Sequence, residues 1–533
     1  MSSQPPPDLR VLCRKLSSIP PAQLPHALPA LSKHVARCRH ALSGPQQQQQ
    51  QQQQKARDDA SQTSLLVHKL KTGISTLLTG RSPEARFAAI GLVKAAVDVG
   101  GWETLRGSEP WVRGLLSVVQ KGDAAASKEL AVVALTRIYV SVQPYQTLVR
   151  EIATPTVPAF ATACLQLIKP AGADRPPVAA AAAAPLALVE TICDAFSTLI
   201  PLYPTTFRPF ASQVRSAVRG YLAPTSCDAV VVPRSLQRAA GRLAASLHHV
   251  AAAKSGGDEW AKMVDGVIRE LHATADQVLR AIDETWDSTG GYGRTAVDPG
   301  GEPSGGSASA DKLPPWDGVG AGAERLTGLF RHLADYLRYP TRGPVSVPLG
   351  GIMGAISRVC LVAKLSSKTQ AWDQALETNP AIGREERDEL WSVVPDIHEA
   401  AMDLMLVMLR RLGRGMLPLV PELLDHLARV FRSGMDVPAI RTAGYLVLEG
   451  LLTVAGPTLS KPAVAMVEPL AAACCRDLQQ DAGLLLPRPS SSKPAAPAPG
   501  ARANGAAAAN ADLFLPPGTC GPTCAACWTG RPS

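Results

Sequence analysis

The sequence predicts an all-α protein, an armadillo/HEAT-like helical-repeat solenoid with disordered loops and a disordered tail. Three observations predict this fold. Apolar residues recur at the spacing of amphipathic helices, aromatic residues make up only 5% of the chain, and alternating strands joined by Asn-Gly or Asp-Gly turns are nearly absent. The helices follow one another at roughly twenty residues and pair into units of roughly forty, which is the spacing of HEAT and armadillo repeats.

Residues 1–60 are predicted to form N-terminal helices and a polyglutamine loop. The helices are expected at residues 8–19 and 23–42. Nine glutamines follow at Gln46–Gln54. A polar tract of this kind cannot bury enough apolar surface to fold by itself, so we expect a loop of variable length.

Residues 61–286 are predicted to form the first helical-repeat block. A proline- and alanine-rich loop at 170–185 interrupts the repeats without ending them. Helices are expected at residues 62–79, 83–98, 110–120, 125–141, 144–152, 156–169, 186–200, 204–221, 233–250 and 258–286.

A Gly-, Pro- and Ser-rich segment at 287–322 is predicted to be a flexible linker, because it has no periodic apolar face. Residues 323–486 are predicted to form a second helical-repeat block, and residues 487–533 a disordered tail. The helices of the second block are expected at residues 323–339, 349–364, 384–411, 417–432, 438–454 and 462–480.

The stretch Thr79–Leu116 shows how these repeats are built. Ser82 is placed to cap an amphipathic helix, and Gly100–Gly101 allow that helix to end in a left-handed conformation. Trp102 and Trp111 then bring large apolar surfaces to the junction with the next helix. The stretch is therefore predicted to be a packing unit without catalytic chemistry.

Together with Lys128–Tyr139 and Tyr145–Leu165, the stretch Thr79–Leu116 resembles the family of the fungal pre-rRNA-processing protein Rix-one, which is related to the animal proline-, glutamate- and leucine-rich protein. The resemblance is strongest between about residues 65 and 169. Beyond that region it depends on weaker, helical similarity. The glutamine tract and the short C-terminus depart from the usual pattern of the family.

The resemblance implies a non-catalytic scaffold subunit of a nuclear Rix-one-type complex that supports biogenesis of the large ribosomal subunit. Its implied tasks are processing of the second internal transcribed spacer and remodelling of the pre-ribosome. The implied partners are a WD-repeat propeller protein, a second helical-repeat subunit, a midasin-type AAA ATPase and the large-subunit precursor particle, with two copies of the scaffold per complex. The family further implies a nuclear location, in nucleolus and nucleoplasm, and no cofactor.

Composition sets limits on this interpretation. The net charge of +9 and the isoelectric point near 9.0 arise from charges spread along the chain. They allow contact with an acidic partner such as RNA without requiring it. The scattered single cysteines indicate a reducing compartment. No apolar signal core opens the sequence and no apolar run is long enough to span a bilayer, so we expect a soluble intracellular protein.

Six residues are the candidates for partner contact or for packing between repeats. Basic side chains here alternate with tryptophans, a combination that offers phosphate contacts beside stacking surfaces. The other interpretation is that the tryptophans seal repeat junctions while the cations face solvent. The six candidates are Arg86, Lys94, Trp102, Arg106, Trp111 and Arg113.

Two groups of titratable residues are also open to a catalytic interpretation. His248 and His249 have the chemistry of acid/base groups, but we expect them on a solvated helix edge. The carboxylates of Asp283, Glu284 and Asp287 flank a tryptophan at a predicted helix end. Paired carboxylates act as acid and base only when their environments differ, and beside a Gly-rich segment we expect them to be solvated.

Two short motifs complete the candidates. Cys520, Cys524 and Cys527 have the spacing that begins a zinc site, but no fourth ligand lies nearby, so an unstructured terminus is the preferred interpretation. The segment Leu448–Leu452 has the leucine spacing of a groove-docking helix, although we expect it to be buried.

Two other classes of function stay open at this stage. A helical-repeat adaptor in nuclear transcription or chromatin regulation is the alternative to the ribosomal scaffold. An enzyme is the third class, and phosphate-binding or hydrolase motifs are absent from the sequence. No catalytic or metal-binding residue is therefore assigned.

Overall fold

The computed structural model describes residues 7–43, 54–168, 184–252, 255–288, 290–309, 312–364 and 376–484. Almost every regular element in these ranges is a helix, which confirms the all-α prediction. The predicted polyglutamine loop except Gln54, nearly all of the alanine-rich loop and the predicted C-terminal tail lie outside the described residues. Contacts divide the chain into two units, residues 1–277 with 302–349, and residues 278–301 with 350–533.

The first unit contains sixteen of the described helices. A π-helical turn, Val149–Ala153, joins the ninth helix to the tenth. The helices are α1 Pro7–Ser18, α2 Leu24–Arg37, α3 Arg39–Ser43, α4 Gln54–Thr79, α5 Pro83–Val99, α6 Gly101–Arg106, α7 Glu109–Gln120, α8 Ala125–Val142, α9 Gln146–Leu148, α10 Thr154–Ile168, α11 Leu186–Leu199, α12 Pro204–Phe207, α13 Ala211–Leu222, α14 Arg234–Ser246, α15 Gly256–Val278 and α16 Val319–Arg338.

These helices form two layers. In the first layer α2, α5, α8, α11 and α14 each pack on the next, and in the second layer α1, α4, α7, α10 and α13 do the same. Pairs of one helix from each layer, such as α4 with α5 and α7 with α8, also pack together. The unit is therefore a stack of helical pairs, as the repeat spacing predicts.

Helix α5 shows how the sequence produces this packing. The Ser82 hydroxyl accepts a hydrogen bond from the Ala85 backbone N–H at 3.2 Å, and Pro83 occupies the first turn. Ala88, Ile90 and Val93 are fully buried, because α5 contacts α2, α4 and α8 on different sides. A helix in the middle of the stack is thus apolar around most of its circumference.

Helix α15 ends at Val278, whereas the sequence predicts a helix to residue 286. Ile282–Asp283 instead form a short strand, β1, and three more two-residue strands follow it: β2 Ser304–Gly305, β3 Trp316–Asp317 and β4 Glu377–Thr378. β1 pairs antiparallel with β4, and β2 with β3. The helix-forming pattern over 279–286 is overridden by this pairing, because its partner lies almost a hundred residues away.

The segment predicted as a linker, 287–322, is divided between the two units. Residues 302–309 and 312–318 belong to the first unit, where the Arg219 guanidinium donates to the carbonyl oxygens of Ser309 and Lys312. Helix α16 begins inside this segment and packs on α13 and α14. The contact units therefore divide the chain at other places than the predicted domains 61–286 and 323–486.

The second unit contains five described helices, in which α18 packs on α20, and α19 packs on both α20 and α21. By length and apolarity α20 resembles a membrane-spanning helix, and 39% of its apolar window is buried inside the protein. Val447 and Leu451 lie on the side that packs against the neighbouring helices. The helices are α17 Leu349–Leu361, α18 Arg384–Leu412, α19 Val420–Ser433, α20 Pro438–Ala455 and α21 Lys461–Asp481.

We predict that Gly328→Ala destabilises the first unit by about 1–3 kcal/mol. A Cβ at Gly328 would lie 2.6 Å from the Cα of Ala223, so the backbone itself has to move. Gly220→Ala in α13 is the matched control, because no atom lies within 4 Å of its added Cβ and alanine favours helix. Urea unfolding followed by circular dichroism should separate the two variants. Equal stability of both would contradict the close packing of α16.

Candidate interaction surface

Helix α6, Gly101–Arg106, is held rigidly at the edge of the stack. We call the surface formed by Trp102 and Arg106 of this helix and by the adjacent Tyr145 the Trp102 platform. Gly101 has a φ of +55°, and a Cβ at Gly100 would lie 2.1 Å from the Thr104 hydroxyl, so both glycines are required by the turn. The Thr104 hydroxyl donates to the Leu42 carbonyl at 3.2 Å, and the Lys71 ammonium donates to the Glu103 carbonyl at 3.0 Å. These bonds tie α6 to α3 and α4.

Trp102 is exposed on this platform. Its ring meets the ring of Tyr145 edge to face, with 4.9 Å between the centroids. Trp102 is 36% exposed and Tyr145 is 37% exposed. Arg106, on the same short helix, is also exposed, and no ion pair is found for it within the described part of the chain. Exposed Trp, Tyr and Arg side chains are the residues most enriched in binding hot spots.

Trp111 lies in the interior instead. It is 1% exposed, and its indole N–H donates to the Ser75 hydroxyl at 3.0 Å. Ser75 is on α4 and Trp111 on α7, two neighbouring helices of the second layer. Trp111 therefore packs between adjacent repeats and offers no ring face to a ligand.

The Arg86 side chain has an internal role as well. Its Nε and Nη2 atoms donate to Oδ1 of Asp123 at 2.8 and 2.6 Å, and Nη1 donates to the Gly80 carbonyl at 2.8 Å. The guanidinium thus holds together the turns that precede α5 and α8. Four of its five N–H groups are therefore engaged within the protein, which disfavours a role in binding phosphate.

Lys94 and Arg113 form ion pairs on their own helices. The Lys94 ammonium lies 2.8 Å from Asp98, and Arg113 pairs with Glu109 while remaining largely exposed. Exposed pairs of this kind contribute little to stability, so both cations stay accessible to a partner. Of the six candidates, Trp102, Arg106 and Arg113 are the most exposed, and Trp111 and Arg86 are committed to packing.

A ladder of polar pairs crosses the first layer, which the sequence analysis missed. Each pair joins one helix to the next: Arg137 to Asp98 at 2.6 Å, Thr191 to Glu129 at 3.2 Å, Ser235 to Glu190 at 2.7 Å, and Arg242 to Asp194. Burial opposes ionisation of Asp98, but hydrogen bonds from Lys94 and Arg137 outweigh it and lower its pKa. Glu190 and Asp194, spaced four apart in α11, were the only sequence signal of this ladder.

The prediction that His248 and His249 lie on a solvated edge is wrong. Both rings are buried, because α14 continues into a 3₁₀ turn and residues 340–342 cover it. The Arg342 N–H donates to Nε2 of His248 at 3.3 Å, so Nδ1 carries the proton and donates to the Ala245 carbonyl. Burial and the neighbouring His248 ring lower the pKa of His249 to about 4.

The prediction of solvated carboxylates is wrong for Glu284, while Asp283 and Asp287 are exposed. The Glu284 side chain is 2% exposed, and both of its oxygens bind Arg358, at 2.7 and 2.8 Å. Arg358 is fully buried, and its guanidinium lies over the Trp286 ring at 5.0 Å. Arg294 also pairs with Glu284, at 3.3 Å. These paired charges within the second unit have a structural role, because a buried ion is stable only when it is compensated.

Two motifs of the sequence remain, the leucine segment of α20 and the C-terminal cysteines. Leu448 and Leu451 are 7% and 2% exposed, as predicted for a core helix, whereas Leu452 is 40% exposed. Cys520, Cys524 and Cys527 lie outside the described residues. No cluster of three metal-ligating side chains occurs within the described ranges.

One family model matches the N-terminal region of the chain. Residues 8–229 match the RIX1 family model, described as rRNA processing/ribosome biogenesis. We call residues 8–229 the RIX1-type region. This region runs from α1 past the end of α13, and so covers most of the two-layer stack and the Trp102 platform. No curated protein was found to match the sequence.

A solved structure shares the fold of the chain. A chain of the Rix1 subcomplex in a Rix1-Rea1 pre-60S particle matches with a TM-score of 0.62 and 13% identity, over 88% of this chain and 77% of that chain. A chain of a Kap95:Nup1 complex has a TM-score of 0.38 at 10% identity, over 88% of this chain and 50% of that one. Importin beta has a TM-score of 0.34 at 12% identity, over 89% and 52%.

We predict that the two tryptophans of the RIX1-type region differ sharply in their effect on folding. Trp111→Ala should destabilise the protein by about 3–5 kcal/mol, since it empties a buried site and leaves Ser75 without its donor. Trp102→Ala should cost about 1 kcal/mol, the contribution of an exposed aromatic pair. Urea unfolding measures both free energies. Similar losses for the two variants would show that Trp102 is a packing residue.

We also predict a loss of stability in acid through His398. This ring is 2% exposed, its Nε2 donates to the Val359 carbonyl at 3.0 Å, and burial lowers its pKa to about 4. Below pH ~6.5 the His398 imidazole is therefore protonated in the unfolded chain, whereas it stays neutral in the folded chain until about pH 4. Stability is full above that pH and falls by about 3 kcal/mol as the pH drops to about 4.

His398→Gln keeps an N–H donor without this titration, so its unfolding free energy should fall less between pH ~6.5 and ~4. His40→Gln, at an exposed position, is the control and should behave like wild type. If the unfolding free energy of His398→Gln fell with pH as steeply as that of wild type, the assignment of the acid effect to His398 would be wrong.

Proposed function

We propose that the protein is a non-catalytic scaffold subunit of a nuclear Rix1-type complex that supports large-subunit ribosome biogenesis. The observation that carries the proposal is the RIX1-type region, residues 8–229, folded as a two-layer helical stack. The fold shared with a chain of the Rix1 subcomplex supports it. Within such a complex the chain would assist processing of the second internal transcribed spacer and remodelling of the particle.

The physical character of the stack supports a scaffold. The apolar helix faces are buried in contacts between neighbouring helices, and polar side-chain pairs link successive helices of the first layer. What remains is a long outer surface, on which many shallow contacts add up without a deep pocket. The buried titratable groups described above, His248, His398 and Glu284, are held neutral or paired by packing.

The proposed partners follow from the family. We propose a WD-repeat propeller protein, a second helical-repeat subunit and a midasin-type AAA ATPase. The ATPase is supported by the similar structure, which belongs to a Rix1-Rea1 pre-60S particle. Two copies of the chain per complex and a nucleolar and nucleoplasmic location belong to the same proposal. RNA contact is expected mainly through the partners.

We assign the Trp102 platform to a protein partner in this complex. Trp102, Tyr145 and Arg106 supply two exposed rings and an accessible guanidinium on a rigid support. Interfaces concentrate their binding energy in such side chains. Arg113 on α7 and Lys94 on α5 are accessible cations of the same region and are proposed as peripheral contacts.

The alternative, an adaptor in nuclear transcription or chromatin, relied on docking by the segment Leu448–Leu452. Leu448 and Leu451 are buried in α20, so docking would require unfolding of the second unit. We therefore prefer the ribosomal scaffold.

Depletion of the protein should cause unprocessed second-spacer RNA to accumulate, and a tagged copy should purify with a propeller protein and pre-ribosomal RNA.

In cells depleted of the native protein, a Trp102→Ala/Arg106→Glu copy should lose one partner subunit in mass spectrometry while the others remain. The reason is that the platform is lost without a change in the core of the stack.

A Trp391→Ala/Arg384→Glu copy is the matched control, with a partly exposed tryptophan and an exposed arginine of the second unit. It should retain all partners. Normal spacer processing after depletion would remove the ribosomal proposal, and loss of bound RNA with all proteins retained would reassign the platform to RNA.

A further inference from the structure

A groove of about 660 Å³ runs between α1 and α4 on the second layer of the stack. The Cys13 thiol donates to the Leu66 carbonyl at 3.4 Å and joins the two helices at its base. Most of its lining is apolar. The lining residues are Cys13, Leu16, Ser17, Leu65, His68, Lys69, Leu70, Thr72, Gly73, Thr76 and Leu77.

Two residues keep this groove open and apolar. Gly73 lies in the middle of α4, and no atom lies within 4 Å of where its Cβ would be. Leu65 is 66% exposed at the groove, an unusual position for a large apolar side chain one helix from the core. Glycine in a helix interior reduces helix stability by about 1 kcal/mol relative to alanine. Gly73 therefore lowers the stability of α4 and leaves the space of the groove unfilled.

The charge nearest the groove is positive. Residues 9–18 of α1 and 62–79 of α4 contain no Asp or Glu, and the carboxylates of the two helices, Asp8, Asp58 and Asp59, lie toward the helix N-termini. Besides the partly buried Lys71, these stretches contain four cations and one histidine. Lys69 and His68 line the groove itself, and Arg10, Arg14 and Lys15 lie on α1. An apolar floor within a cationic rim is complementary to a segment that is apolar on one face and acidic on the other.

We propose that the α1–α4 groove docks an acidic amphipathic helix of a partner protein. Such a helix would place apolar anchors spaced three and four residues apart against Leu16, Leu65 and Leu77, in the helix-in-groove mode. Its carboxylates would then face Arg14 and Lys69. The lining contains no Trp, Tyr or Phe, the side chains on which unpaired bases stack, so a protein segment fits this surface better than RNA.

This inference rests on the proposed scaffold role for its biological setting, since a scaffold needs sites that recruit other subunits. The groove and the Trp102 platform are separate features of the stack. Binding to the groove is measured with purified protein and a synthetic peptide, whereas the scaffold role is measured on particles in cells. Failure of one therefore leaves the other to be judged by its own result.

The test uses the full-length protein and a fluorescent peptide of about 18 residues, long enough to form helix on binding. Its leucines repeat at i, i+3, i+4 and i+7, and its other positions are mostly glutamate. Anisotropy should show binding that weakens as salt is raised. Two comparison peptides, one with the same composition scrambled and one with lysine in place of glutamate, should bind at least about 10-fold more weakly.

Gly73→Trp is the decisive variant, because the indole enters the open space of the groove and the exchange does not oppose helix formation. We expect it to weaken peptide binding by at least about 10-fold. Gly266→Trp in α15 is the matched control, a helical glycine that also has no neighbour within 4 Å. Lys69→Glu should weaken binding as well, with the exposed Lys262→Glu as its control. Circular dichroism and thermal unfolding verify that all four variants are folded.

Three results would overturn the proposal. The first is equal affinity of wild type and Gly73→Trp for the acidic peptide. The second is binding of a comparison peptide with the same affinity. For the scrambled peptide this would mean that charge attraction alone accounts for binding, and for the lysine peptide it would mean non-specific apolar contact. The third is displacement of the peptide by single-stranded RNA or by anionic vesicles with greater effect on wild type than on Gly73→Trp, which would assign the groove to those ligands.

Discussion

The structure depends on the burial of helix faces that no helix can cover alone. α5 is apolar around most of its circumference, and it is stable only because α2, α4 and α8 cover it from different sides. The same need recurs at each helix of the first layer. Burial of this kind favours folding by about 25 cal/mol per Å² of apolar surface, so stacking supplies the stability that a single helical pair lacks.

Polar groups are arranged around this apolar packing according to their depth. On the outer side of the first layer, Asp98, Glu190 and Asp194 are bridged to the neighbouring helix by side chains that remain partly solvated. Deeper in the second unit, Glu284 binds Arg358 through both oxygens and loses almost all contact with water. A buried charge needs this full pairing, whereas an exposed one does not.

The sequence predicts the local part of this structure well. The observed bounds of α5 and α8, Pro83–Val99 and Ala125–Val142, agree with the predicted helices to within one residue, because caps, glycines and periodic apolar faces are short-range signals. His248 and Glu284 were misplaced because their cover comes from residues about a hundred and about seventy positions further on. No local pattern contains that information. The exposure of Trp102 and the burial of Trp111 likewise follow only from the stack, since the two residues look alike in the sequence.

The fold also explains why interaction sites in such a protein are hard to recognise. In an enzyme, function requires polar groups that are buried and unlike their surroundings. Here the buried titratable groups described above, His248, His398 and Glu284, are hydrogen-bonded or ion-paired within the fold, so the candidate sites are side chains that the stack leaves exposed. Trp102 and Leu65 are of this kind: each is a large apolar side chain held at the surface by a helix whose position is fixed by other contacts. Trp102 contributes its edge-to-face contact with Tyr145 to folding, and burial of the exposed part of either side chain by a partner would release further free energy.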